Sequence, residues 1–137
     1  MGVRRYQDLF TWQLANSFNE SIRRSVAKSP EARRDHKFRG QLLDASRAIA
    51  PNIAEGFARY SPAQFRQFLD YALGSLAEAE TRFSEGVASG YFSERDAAEV
   101  MHYAKRCATA LVRLKQSQVE SSGRGETRKE GRKVGQR

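Results

Sequence analysis

The stretch from Ser46 to Pro62, SRAIAPNIAEGFARYSP, carries Asn52 and Glu55 between Pro51 and Gly56. A sharp turn there would expose an amide and a carboxylate to a substrate, with Glu55 placed as the base of a hydrolase. General-base work needs a companion group, and Glu55 has no histidine or cysteine near it in sequence. Apolar residues Ala45, Ile49, Ile53 and Phe57 also continue four apart across the proline, whereas a catalytic turn would reset that phase. Pro51 is therefore expected to bend a packing helix. It removes the N–H that would serve the Arg47 carbonyl and disfavours helical geometry at Ala50, at a cost of about 3 kcal/mol. Gly56 costs roughly another 1 kcal/mol against alanine, which a close approach by a neighbouring helix would justify.

Other chemistry-bearing residues are sparse. His36 and His102 are far apart and lack acidic partners at ligand spacing, so no metal site and no cofactor are expected. Cys107 sits on an apolar stripe and reads as an inert core residue. As the only cysteine it cannot form an internal disulfide, which fits a reducing cytoplasm. One glycine in GFARYSP cannot build a phosphate cradle. Neither a helix-turn-helix nor a zinc finger nor a base-stacking sheet is recognisable. The chain is not expected to be an enzyme.

The elements that position these residues follow from periodicity. Apolar residues recur at steps of three and four in four blocks. The first runs Phe10, Leu14, Phe18, Ile22, Val26, and the second Phe38, Leu42, Ala45, Ile49, Ile53, Phe57. The third runs Phe65, Leu69, Ala72, Leu76, Ala79, Phe83, Val87, and the fourth Ala97, Val100, Ala104, Cys107, Leu111, Leu114. Ser29-Pro30 and Ser61-Pro62 each supply a capping hydroxyl and a proline suited to the first helical position. Ser93 to Asp96 is a looser capping box, and Gly90 suits a left-handed helix end. The spacing predicts helices over 7–28, 31–59, 62–89 and 93–118. Short connections predict an all-α, antiparallel up-down-up-down four-helix bundle with a kinked second helix. Residues 1–119 form the expected bundle domain. Residues 120–137, ESSGRGETRKEGRKVGQR, hold one large apolar residue, Val134, and are expected to be a disordered basic tail.

The 137 residues carry a formal charge of +8, a balance that bears on partners rather than on fold. An up-down bundle sorts charge by end. One end collects Arg4, Arg5, Arg47, Arg59, Arg66, Lys105, Arg106, Arg113 and Lys115 against only Asp8, Asp44, Glu55 and Asp70. At the other end, where Arg23 and Arg24 lie, acidic and basic residues balance. The basic end is thus the candidate surface for RNA or DNA, bound through phosphates without sequence readout. No apolar run of about 18 residues predicts a membrane span, and no signal-peptide core is visible.

WQLANSF, followed by QLLDASRAIAPNIAEGFARYSPAQFRQFLDYALGSLAEAE, closely resembles the four-helix bundle proteins encoded by intervening sequences of bacterial large-subunit ribosomal RNA genes. The matching positions are Gln41, Arg47, Asn52 to Gly56, Arg59, Ser61, Phe65, Phe68-Leu69, Gly74-Ser75 and Glu78. Ahead of Asn52 the chain departs from the family pattern, reading Ala48-Ile49-Ala50-Pro51. The resemblance implies a homopentameric bundle. It also extends to the accessory protein of diversity-generating retroelements, which works with a reverse transcriptase and binds nucleic acid. The expectation is a non-enzymatic, oligomeric, cytoplasmic scaffold that binds nucleic acid and serves as accessory to a reverse transcriptase or similar enzyme. The alternative is a protein–protein interaction module whose charge is incidental.

Overall fold

A computed structural model describes residues 5–135, with side chains described for 5–7 and 9–121. A 3-10 turn, Tyr6–Asp8, leads into α1 (Phe10–Lys28), α2 (Pro30–Arg34), α3 (His36–Phe57), α4 (Pro62–Ala88) and α5 (Glu94–Gly135). The described residues are all-α, without strands. α1 packs against α3 and α5, and α4 packs against the same two helices. A single core results, with Phe18, Phe83, Ile22, Leu42, Ile49, Ile53, Leu69 and Leu111 fully buried at its centre.

The expected caps form. Ser29 accepts from the Ala32 N–H at 3.1 Å, Ser61 from Gln64 at 3.3 Å and Ser93 from Asp96 at 3.1 Å. Each satisfies an N–H that the first turn of a helix leaves without an intrahelical acceptor. Gly90 adopts φ +78° beyond the end of α4, the conformation that a residue without Cβ reaches most cheaply. Tyr60, in the α3–α4 turn, is also left-handed at φ 59°, and at 98% exposure its ring packs on almost nothing.

Two features differ from the sequence reading. The expected helix over 31–59 is two helices, interrupted at Asp35, whose carboxylate accepts from the Phe38 N–H at 3.2 Å and so starts α3 afresh. The helix continues through Pro51 as expected, and the break lies sixteen residues earlier in sequence. Pro51 is exposed, so the carbonyl it cannot serve faces solvent, while the Asn52 amide donates to the Ala48 carbonyl at 2.9 Å. Second, α5 shows no break at residue 120, where the composition changes; its backbone continues as helix to Gly135. Adding a residue to an existing helix gains one hydrogen bond without renewed nucleation, although Gly123, Gly125 and Gly131 oppose the extension.

Candidate nucleic-acid interface

Cross-helix contacts define the two ends of the helix cluster. At one end Lys28 pairs with Asp96 at 3.2 Å, Arg24 with Glu99 at 2.7 Å, and Tyr91 hydrogen-bonds Asp35. At the other, Thr11 Oγ1 lies 3.5 Å from the Ala110 carbonyl, and Tyr6, Trp12 and Ala58 line one groove. The basic candidates belong to this second end and to the adjoining flank.

They do not form one patch. Lys105, Arg106 and Arg113 of α5 share a groove of about 780 Å³ with Leu9, Phe10, Thr11 and Leu14 from the start of α1. Residues 102, 105, 106, 109 and 113 all line it, because steps of three and four keep them on one face of α5. The opposite face carries the core residues Ala104, Cys107 and Leu111. Arg106 holds its guanidinium 5.6 Å from the centre of the Phe10 ring. Among the described residues, none of these three cations pairs with a carboxylate, and no acidic side chain lines the groove.

The remaining candidates are placed elsewhere. Arg47 pairs with Asp44 at 2.7 Å and faces a second groove of about 610 Å³, lined also by Pro51, Glu55, Trp12 and Tyr6. Arg59 pairs with Glu55 and stands 5.2 Å above the Phe68 ring. Lys115 pairs with Asp70 at 2.6 Å. Arg66 is half-buried on α4, Arg5 is exposed, and Arg4 lies outside the described residues. Glu55 and Asn52 thus have partners within α3 or one residue past its cap, and the two do not converge on a common substrate position.

Gly56 is buried between α3 and α4; a Cβ there would sit 2.8 Å from Phe68 Cβ and 2.9 Å from Phe65 Cδ1. Gly74 has nothing within 4 Å of its would-be Cβ, and its neighbour Ser75 is half-buried. Groups with shifted pKa lie away from the basic groove. The Tyr91 hydroxyl and then the Phe38 N–H hold the Asp35 carboxyl below its usual range, and the bond to Asp35 raises the Tyr91 phenol. Burial raises Glu80, and burial with the nearby Glu80 charge pushes the Cys107 thiol up to about 12.

Phe10 is the residue that periodicity misplaces. It continues the stripe of Leu14 and Phe18, yet it is 58% exposed because no helix covers the first turn of α1 on that side. The signal that could have flagged it was the basic set Lys105, Arg106 and Arg113, at i, i+1 and i+8 on one face of the helix opposite. Val87 is likewise exposed, and Gly86 takes the core position, where its missing side chain admits Phe38 and Phe92.

Among the described residues, no helix is long and apolar enough to cross a membrane, and no cluster of potential metal ligands occurs. No curated protein matches the sequence. Residues 7–113 match the family described as 23S rRNA-intervening sequence protein, a span reaching from the 3-10 turn through the basic groove, and the chain belongs to that family.

Proposed function

We propose that this chain is a non-enzymatic scaffold that binds RNA or DNA nonspecifically through its basic end and serves as accessory to a nucleic-acid enzyme of the reverse-transcriptase kind. The observation that carries this reading is the convergence of Lys105, Arg106 and Arg113 on one groove with no facing carboxylate among the described residues. Unpaired cations of this kind exchange their counterions for phosphates at little cost, whereas Arg47, Arg59 and Lys115 would first have to leave their carboxylate partners. The packing of α1, α3, α4 and α5 supports an antiparallel four-helix bundle: Thr11 faces Ala110 while Arg24 faces Glu99, so α1 ascends as α5 descends. We further propose that copies assemble as a ring, a homopentamer in the family's manner, which would repeat the basic groove around one face. Exposed Tyr71, Met101 and Val112 and the open position at Gly74 offer surface for such contacts.

The test is binding of labelled RNA and DNA at several salt concentrations, with assembly followed by light scattering. Affinity should fall steeply with salt, and each cation reversed among Lys105, Arg106 and Arg113 should lower the log–log salt slope by about 0.7–0.9. Reversing Arg23 and Arg33 at the other end should change it far less. Equal losses at both ends would count against the groove as the site. The rival reading, a protein-docking module using the same groove's apolar floor, predicts capture of a protein that survives nuclease and high salt.

A further inference from the structure

The contents of the α1–α5 groove divide into two chemistries. Lys105, Arg106 and Arg113 span nine residues of α5, about 12 Å of helix rise, enough to follow a few consecutive phosphates. Leu9, Leu14, Ala110 and Leu114 give an apolar floor, and Phe10 presents a ring that is 58% exposed. A duplex would use only the first set, since its base faces are stacked away and its backbones cannot enter the floor. An unpaired strand would use both.

We infer that the groove takes single-stranded nucleic acid, with one unpaired base stacked against Phe10 and Arg106 while Lys105 and Arg113 hold the flanking phosphates. This deepens the proposed function and rests on it. Aromatic faces accept any base, as does a guanidinium plane, so the contact adds affinity without sequence preference. The guanidinium of Arg106 stands over one face of the Phe10 ring, 5.6 Å from its centre, which leaves the other ring face and the outer face of the guanidinium for a base. Where a solvent-exposed phenylalanine serves only a duplex-binding surface, it has no partner to offset its exposure. Here the ligand supplies one.

The full chain is titrated with a short labelled oligothymidylate, the matching oligouridylate and a duplex of equal length, at low and moderate salt. Single strands should bind at least about tenfold more tightly than duplex at moderate salt, the range that stacking of one base provides. Phe10→Ala should abolish that preference while leaving duplex affinity unchanged, Phe10→Trp should keep it, and Tyr60→Ala, at the 98% exposed ring of the α3–α4 turn, should not affect it. Phe10 lies at the surface, and circular dichroism of each variant verifies the fold. Equal affinity for strand and duplex, or a Phe10→Ala loss shared equally by both, overturns the inference while leaving phosphate binding by the basic end in place. Absence of binding to any of the three at low salt overturns the proposed function along with it.

Discussion

The Tyr91 hydroxyl donates to Asp35 Oδ2 at 2.7 Å, across 56 residues of sequence, while Asp35 Oδ1 caps α3 through the Phe38 N–H. One carboxylate thereby starts a helix and ties down the α4–α5 turn. Both bonds favour the ionised carboxylate, so its folded pKa lies below the ordinary 3.8. Stability from this source is present above 3.8 and is lost as pH falls through the lower folded value. Tyr91→Phe should lower the thermal midpoint at neutral pH, and the gap to the parent should close in strong acid. On the alkaline side the raised phenol gives the opposite dependence: its contribution is lost as pH climbs from 10.0 through the higher folded value. A gap independent of pH would remove the charge-assisted bond from the explanation.

Gly56 and Gly74 should respond oppositely to alanine. Helix propensity alone favours either replacement by about 1 kcal/mol. At Gly56 the new methyl meets the Cβ of Phe68, which is fixed to the backbone of α4, so the helices must part at a cost of about 1–3 kcal/mol. At Gly74 it meets open space. Urea denaturation should show Gly56→Ala less stable and Gly74→Ala equal or better. Loss of stability at Gly74, in a concentration-dependent manner, would locate a second copy against that turn of α4.

Burial of Cys107 on α5, and after it the charge of Glu80 on α4, disfavours the thiolate. The thiol, fully buried and pushed up to about 12, should react with disulfide reagents only when the chain opens. Its labelling rate should therefore follow unfolding across a denaturant series; rapid labelling of the native protein would contradict the burial. Glu80 has its pKa raised by burial, so its ionisation at neutral pH opposes folding. Relative stability is greatest below 4.5 and is lost as pH rises through the folded value. Glu80→Gln should accordingly stabilise the protein at neutral pH and make no difference in acid.

Most of the core was readable because buried positions on four long helices repeat with the helical period, from Leu14 to Val26 and from Phe65 to Phe83. The capping serines were readable for a similar reason, since each precedes a proline or an acidic turn. Asp35 was not, because no proline marks it and the apolar spacing on either side gives no sign of a new start. The basic candidates were legible as a set but not as a site. Sequence counts charge, whereas pairing decides which charges remain available, and Asp44, Glu55 and Asp70 each take one. Phe10 escaped because periodicity reports a helix face without reporting where the opposing helix stops covering it.

Pro51→Ala tests whether the interrupted hydrogen-bond ladder of α3 is a cost or a requirement. The proline is exposed, so alanine forfeits little buried surface, and it restores an N–H for the Arg47 carbonyl. Propensity favours the change by up to about 3 kcal/mol. Arg47 and Pro51 are both exposed, so water can serve the Arg47 carbonyl and part of the deficit is offset in the parent. The expected gain is therefore smaller, about 1–2 kcal/mol by urea denaturation. A loss instead would mean that the proline sets the course of α3 where Ala50 and Ala54 line the second groove with Trp12 and Tyr6. Repeating the measurement in a Trp12→Leu background separates the two: a gain that appears only there assigns the proline to packing against the indole.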